Sequence, residues 1–170
     1  MVDTSSNTDN GNCGLPPVWR ERWLAGQPFL INFTDNSKTM LGAIIGDTIG
    51  SAYEFHNTKD YSFTLFLGNS AYTDDSIMTM AVAYWLLKDK GHSYQGLEDI
   101  MVMFGEKCPC PMGGYGAGFY RWLFFPRDLY AYDDKYGAAP YESKTGRHPY
   151  GSYGNGSAMR VSAVGWFFDT

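Results

Sequence analysis

Residues 72–87 read YTDDSIMTMAVAYWLL, and this stretch decides the fold class. Its apolar side chains recur every three or four residues, which is the period of an α-helix. Further apolar side chains widen that stripe, so we expect most of the helix surface to be buried. The pattern predicts a helix from about Asp74 to Asp89.

Thr73, Asp74 and Asp75 stand at the start of this helix, and two explanations fit them. They can cap the helix, because a side-chain oxygen accepts hydrogen bonds from the first amides and acids favour the positive end of the helix dipole. They can also bind a divalent cation, since a hydroxyl beside two carboxylates offers three hard oxygen ligands. Taken alone, the motif favours capping.

Asp47 is a charged residue inside the apolar segment 40–55, MLGAIIGDTIGSAYEF. A buried carboxylate is costly unless it is hydrogen-bonded, paired or bound to a metal. Glu54 lies seven residues further on, so the two acids share one face of a predicted helix. Either both converge with Asp74 and Asp75 on one site, or Asp47 accepts hydrogen bonds from backbone amides and Glu54 is solvated.

Three further segments have the apolar content of helices, at residues 96–109, 119–125 and 156–169. Segment 40–55 also carries a glycine at every fourth position, which permits the close approach of another helix. We find no segment with the alternating pattern of a strand. The predicted fold class is all-α.

Two glycine-rich segments are candidates for ligand binding. Residues 113–119, GGYGAGF, leave backbone amides open to a phosphate, although turns use glycine as well. This segment is not a P-loop, because no Lys-Ser/Thr pair follows it. Residues 152–156, SYGNG, form a tight turn before the last helix, where Asn155 either completes the turn or presents its amide to a ribose or base.

The composition indicates one folded domain, since 170 residues with a hydrophobic fraction of 44% can fill a core. A net charge of -5 argues against a broad basic surface for nucleic acid. The chain has no uncharged apolar run long enough for a transmembrane helix, and its start lacks the pattern of a secretory signal. Three cysteines make no disulfide framework, so we expect free thiols in a cytoplasmic protein. We divide the chain into a partly mobile extension, 1–39, and a helical domain, 40–170.

Four segments in this order resemble the ADP-ribosylglycohydrolase family, of the dinitrogenase-reductase-activating type: GAIIGDTIGSAYEF, YTDDSIMTMAVA, GGYGAGFYRW and GSYGNGSAMRVSAVGW. The resemblance covers residues 40–170. It implies an all-α orthogonal helical bundle that uses two Mg²⁺ or Mn²⁺ ions. It also implies hydrolysis of the bond between ADP-ribose and an acceptor such as arginine or serine.

The resemblance implies roles for individual residues. The implied metal ligands are Thr73, Asp74 and Asp75. The implied catalytic acids are Glu54 and Asp74, and Asp47 is expected to give structural support. The loop around the diphosphate would consist of Gly114, Tyr115, Gly116, Ala117 and Gly118. The segment that holds the ADP-ribose would consist of Ser152, Tyr153, Gly154 and Asn155, with Asn155 near the ribose.

One feature of the family has no counterpart here. The family completes its metal site with an Asp-x-Asp-Thr/Ser motif on a later helix, and Asp169-Thr170 do not match it. We therefore expect a partial bundle, truncated at the C-terminal side, with weakly held metal ions. An exposed half-core should also favour self-association.

The first expectation is thus an ADP-ribosylglycohydrolase-like hydrolase, with its activity in doubt for this chain. One alternative is a non-catalytic module that binds ADP-ribose or a nucleotide. Another is a fragment that acts with a complementary chain or by self-association. The expected partner is ADP-ribose or an ADP-ribosylated protein, and neither nucleic acid nor a membrane is expected.

Overall fold

A computed structural model describes residues 37–125 and 141–168. The helices are α1 (Ser37–Ser51), α2 (Asp74–Lys88), α3 (Tyr94–Lys107), α4 (Ala117–Phe124), α5 (Gly156–Met159) and α6 (Ser162–Phe167). These two ranges contain no strand, and an isolated parallel bridge joins Thr73 to Met112. The all-α class is confirmed. None of the described helices is long and apolar enough to cross a membrane.

The central helix is α2, which packs against α1, α3, α5 and α6. Its buried side chains lie on most of its circumference, as the widened apolar stripe predicted. Its most deeply buried apolar side chains are Ile77, Met78 and Ala81, each at most 1% exposed. Full burial of a side chain the size of isoleucine or methionine contributes about 1.5–3 kcal/mol, so α2 contributes substantially to the stability of the described core.

The predicted bounds of a helix agree best with the structure where a capping residue marks its end. The second helix begins at Asp74 as predicted, and Asp89 is its C-cap. The first helix was predicted over 40–55, but it ends at Ser51. Glu54 therefore lies in the turn beyond α1, and helical periodicity does not determine its position.

The last predicted helix, 156–169, is interrupted, and α5 and α6 are separate short helices. The side chain of Arg160 donates from Nε to the carbonyl of Gly156. In a continuous helix the backbone amide of Arg160 would donate to that carbonyl. The amide instead donates to the carbonyl of Ala158, which ends α5.

Among the described residues, no helix packs closely against the glycines of α1. A Cβ added at Gly42, Gly46 or Gly50 would meet nothing within 4 Å. The expectation of close packing at this face is therefore wrong for the described part of the chain. The same helix exposes 56% of Leu41 and 41% of Ile45. Part of the apolar surface of α1 is therefore exposed.

The expectation of free thiols is confirmed for Cys110, which is exposed and free. Cys108 is buried in the core. Residues 1–36 of the predicted extension lie outside the described residues.

A buried carboxylate, that of Glu98, connects α3 to the segment 141–147. Its carboxylate oxygens accept hydrogen bonds from the hydroxyl groups of Tyr141, Ser143 and Thr145. Arg147 Nη1 lies 3.7 Å from Glu98 Oε1. Burial alone would raise the pKa of Glu98, but the hydrogen bonds, led by that of Thr145, outweigh it and lower the pKa below its ordinary value. Glu98 is therefore a charged anchor inside the fold.

Replacing Glu98 by alanine should lower the free energy of unfolding by about 3 kcal/mol, because the buried guanidinium of Arg147 loses its carboxylate. Urea denaturation at pH 7 measures this loss. The stabilisation should be fully present above pH 4.5, the ordinary glutamate pKa. It should disappear as the pH falls through the lowered folded pKa, because the folded state then loses its preference for the ionised form.

Glu106→Ala is the matched control, since Glu106 is an exposed glutamate on the same helix. Its effect should stay within about 0.5 kcal/mol. Equal losses at the two positions would show that Glu98 is not the anchor.

Candidate functional site

The carboxylate of Asp47 joins α1 to the first turn of α2. Asp47 Oδ2 accepts hydrogen bonds from the backbone amides of Thr73, at 2.8 Å, and Ser76, at 3.1 Å. The hydroxyl groups of Thr73 and Ser76 also donate to this carboxylate. Thr73 Oγ1 lies 2.6 Å from Asp47 Oδ1, and Ser76 Oγ donates to Asp47 Oδ2. The first amides of a helix have no partner within the helix, so this carboxylate supplies one from outside. The structural role expected for Asp47 is confirmed by these contacts.

Thr73 is the N-cap of α2, and its Oγ1 accepts from the amide of Asp75 at 3.2 Å. The capping explanation of the motif is thus observed. The cation explanation remains compatible with it, because Thr73 gives its hydroxyl proton to Asp47. A hydroxyl oxygen has two lone pairs, and the Asp75 amide uses only one of them.

Asp74 and Asp75 lie within electrostatic reach of two further acids, Asp47 and Glu54. Burial, followed by the charge of Asp75 and then by those of Glu54 and Asp47, raises the pKa of Asp74 to about 6. Burial and the charges of Asp47 and Glu54 also raise the pKa of Asp75, whereas Arg160 opposes that shift. The four acids therefore influence one another electrostatically, while Asp47 accepts hydrogen bonds from backbone amides and Glu54 is exposed, as the second explanation expected.

The glycine-rich loop runs beside these acids. Met112 forms the parallel bridge with Thr73 at the start of α2. The next residue, Gly113, has a φ of 75°, and a Cβ there would come within 3.1 Å of Glu54 Oε2. Only glycine satisfies both the left-handed backbone and this close approach without strain. Glu54 itself is exposed.

In the glycine loop, which was predicted to bind the diphosphate at residues 114–118, some groups already have partners within the protein and others are open to a ligand. The amide of Gly114 donates to the carbonyl of Pro111 at 2.9 Å and closes a turn. The side chain of Tyr115 is 7% exposed, and its hydroxyl donates to the carbonyl of Cys108 at 2.7 Å. Tyr115 is therefore part of the core, and only its backbone is left for a ligand.

The start of α4 is the open part of that loop. The N-cap of α4 is Gly116, which makes no side-chain capping hydrogen bond. Ala117 is exposed at the first helical position. Unpaired amides at a helix start attract anions, so this end can bind a phosphate. A Cβ at Gly118 would lie 2.9 Å from the ring of Tyr150, so the missing side chain there makes room for an aromatic residue.

The donor set fits a hard cation in chemical type but not in number. No group of three or more His, Cys, Asp or Glu side chains within 37–125 and 141–168 is arranged to hold a metal ion. Thr73, Asp74 and Asp75 supply one side of a ligand shell at most. Water, phosphate or other oxygen atoms would have to supply the rest, as is usual for Mg²⁺.

The segment 152–155 borders a separate cleft of about 480 Å³. Ser152 and Gly154 line this cleft, together with aromatic side chains that include Phe119 and Trp122. Tyr153 and Asn155 are exposed and do not line it. The structure thus brings Glu54, residues 73–75 and the glycine loop together, and it places Ser152 and Gly154 on the wall of the separate cleft.

Arg160 is a functional candidate that the sequence did not predict. Its guanidinium lies 4.6 Å from the ring centroid of Phe119 and lines the cleft. Burial lowers the pKa of Arg160, while the charges of Tyr150, Asp74 and Asp75 oppose that change. Arg160 therefore lines the cleft and also interacts electrostatically with Asp74 and Asp75. Its position one turn after the SYGNG segment was the available signal.

Asp47→Ala should lower the free energy of unfolding by about 2–3 kcal/mol, because four donors at the start of α2 lose a charged acceptor. The loss should be the same in EDTA and in Mg²⁺, since Asp47 acts through hydrogen bonds. Urea denaturation in both buffers measures it. A loss seen only in Mg²⁺ would identify Asp47 as a metal ligand instead.

The raised pKa of Asp74 predicts a pH effect on the metal-free protein. Between pH 6 and pH 3.8, the folded and ordinary pKa values, the folded state binds more protons than the unfolded chain. In EDTA, the stability of wild type relative to Asp74→Asn should therefore rise as the pH falls from 7.5 to 5. Because Asp74 is partly exposed, we expect a rise of about 1 kcal/mol. A pH-independent difference in urea denaturation would contradict the assignment.

Comparison with known proteins gives the family. The sequence model of the ADP-ribosylglycohydrolase family matches residues 37–170. The chain is 29% identical over 144 residues to the ADP-ribosylhydrolase ARH3 of Mus musculus, and the match covers 74% of this chain and 36% of that protein. The Homo sapiens protein of that name is 29% identical over 144 residues, with 74% and 37% covered. For Xenopus tropicalis the values are 30% over 149 residues, with 74% and 37% covered.

This chain spans little more than a third of the length of those relatives. No solved structure matches it. The family model nevertheless covers most of the chain, including the acids at the start of α2, the glycine loop and the cleft segment. The chain belongs to the ADP-ribosylglycohydrolase family.

Proposed function

We propose that this protein takes part in the metal-dependent hydrolysis of the N- or O-glycosidic bond between ADP-ribose and an acceptor residue. The observation that carries the proposal is the position of Asp74 and Asp75 at the start of α2, where Thr73 pairs with the residue before the glycine loop and Glu54 lies against Gly113. Membership of the family and the names of the ARH3 relatives support the same chemistry.

Thr73, Asp74 and Asp75 would hold the cation, which we propose to be Mg²⁺ or Mn²⁺, weakly bound. When bound, such a cation orients ribose hydroxyl groups and polarises a water molecule. The chain itself turns a lone pair of Thr73 outward by directing the hydroxyl proton to Asp47. The start of α4, which lacks a side-chain cap, is suited to the diphosphate.

Glu54 is placed to act on the reacting bond. Glycosidic cleavage develops positive charge at the anomeric carbon, and a nearby carboxylate stabilises that charge. Glu54 is exposed beside Gly113, so it is accessible to water and to a ligand in the loop. We assign it the role of accepting a proton from the attacking water. Asn155 and Ser152 are proposed to contact the ribose from the opposite segment.

A second candidate function is ADP-ribose binding without turnover. The observation that favours it is the lack of a complete metal-ligand group among the described residues. The exposed apolar side chains of α1 favour a third arrangement, in which the chain acts with a partner chain or with a second copy. All three use the same glycine loop, so activity and binding have to be measured separately.

The test is hydrolysis of ADP-ribosyl-serine and ADP-ribosyl-arginine peptides in Mg²⁺. Asp74→Ala should reduce the rate by at least about 100-fold, since loss of a direct ligand should exceed the effect of losing an outer one. Asp99→Ala is the matched control, because Asp99 is an exposed aspartate on α3. Mass spectrometry of the released ADP-ribose measures the rate.

The outcomes separate the candidates. Full activity of Asp74→Ala would overturn the metal assignment. Binding of ADP-ribose in calorimetry without hydrolysis by wild type would favour the binding module. If wild type neither binds nor hydrolyses and light scattering shows a large oligomer, the third arrangement would be supported.

A further inference from the structure

Two charged residues, Glu98 and Arg147, form a buried polar cluster outside the proposed active site. Their side chains are 1% and 6% exposed. Glu98 accepts hydrogen bonds from hydroxyl groups of the 141–147 segment, and Gln95 Oε1 accepts from the amide of Lys144 at 3.0 Å. The 141–147 segment is therefore fixed to α3 at several points.

Arg147 extends this cluster to the C-terminal end of α4. Its Nε donates to the carbonyl of Trp122 at 2.7 Å, and its Nη2 donates to the carbonyl of Leu123 at 2.6 Å. The guanidinium also lies 5.3 Å from the ring centroid of Trp122. The last carbonyls of a helix lack partners within the helix, so a buried cation that binds two of them fixes that end firmly.

A second contact joins the same two parts of the chain nearer the glycine loop. The ring of Tyr150 lies against Gly118, where a Cβ would approach the ring to 2.9 Å. Gly118 is at the start of α4, and Arg147 contacts its end. The chain from 147 to 150 is thus held along the full length of α4.

These contacts set the distance between two proposed ligand-binding elements. The glycine loop leads directly into α4, and Ser152 follows Tyr150 by two residues. We infer that Arg147, held by Glu98, is a positioning residue that fixes the 152–155 segment relative to the glycine loop, so that one ADP-ribose can contact both. The inference rests on the proposed function for its ligand, although its mechanical part does not.

The mechanical part is tested by hydrogen exchange with mass spectrometry on the ligand-free chain. Arg147→Met should remove protection in two separate peptides, one covering residues 112–118 and one covering 149–156. Peptides from the middle of α2 should keep their protection. The variant Arg147→Lys keeps the charge opposite Glu98 but lacks the fork that binds two carbonyls, so its effect should be intermediate. It also serves if Arg147→Met does not fold.

Lys144→Met is the matched control, because it removes an exposed cation from the same segment. It should leave both peptides protected. Faster exchange in 149–156 with unchanged exchange in 112–118 would overturn the inference, since the two elements would then not be coupled. Loss of protection throughout the chain in Arg147→Lys would also overturn it, because the role would then be general stability.

Calorimetry with ADP-ribose tests the functional part. Arg147→Lys should bind ADP-ribose at least about 10-fold more weakly, because small misplacements of contacting groups have effects of that size. The change in melting temperature on adding Mg²⁺ should equal that of wild type. Unchanged ADP-ribose affinity would overturn the functional part. Failure of wild type to bind ADP-ribose would instead count against the proposed function, and the exchange result would still decide the coupling.

Discussion

The carboxylate of Asp47 is the contact on which the rest of the site depends. It belongs to α1, and it accepts hydrogen bonds from two amides and two hydroxyl groups at the start of α2. Those bonds orient the hydroxyl of Thr73 and hold the first turn that carries Asp74 and Asp75. A capping role and a role in a metal site are therefore compatible, because Thr73 and Asp47 satisfy the first amides of α2 and leave the carboxylates of Asp74 and Asp75 available. The hydrogen bonds that satisfy the start of α2 therefore also determine the arrangement of the site.

The sequence predicted most of this architecture, because local patterns determine it. The period of residues 72–87 located α2, and Thr73 marked its first residue. Because burial of an unpaired carboxylate is unfavourable, the sequence indicated that Asp47 has hydrogen-bond partners, and the structure identifies them as Thr73 and Ser76. Glu54 was predicted to share a helical face with Asp47. That prediction is wrong, because α1 ends at Ser51 and the turn that follows brings Glu54 to the glycine loop.

The remaining features depend on contacts between distant parts of the chain, which periodicity does not encode. The sequence could not show that the side chain of Arg160 would donate a hydrogen bond to the carbonyl of Gly156, where the last predicted helix is interrupted. Nor could it show that Gly118 accommodates Tyr150, or that the side chain of Tyr115 belongs to the core. Glycine and tyrosine in a loop are equally typical of ligand contact and of packing. Only the fold assigns each residue to one of these uses.

The excess of acidic groups at the start of α2 has a consequence for the order in which ligands bind. Asp47, Glu54, Asp74 and Asp75 influence one another electrostatically, and among the described residues Arg160 is a cation that acts on Asp74 and Asp75. A ligand with a diphosphate carries the same sign of charge and is repelled from such a surface. A divalent cation would reverse that repulsion, so the proposed cation and the proposed diphosphate ligand should strengthen each other's binding. Thermodynamic linkage makes this effect equal in both directions, and each of the two becomes a reporter of the other.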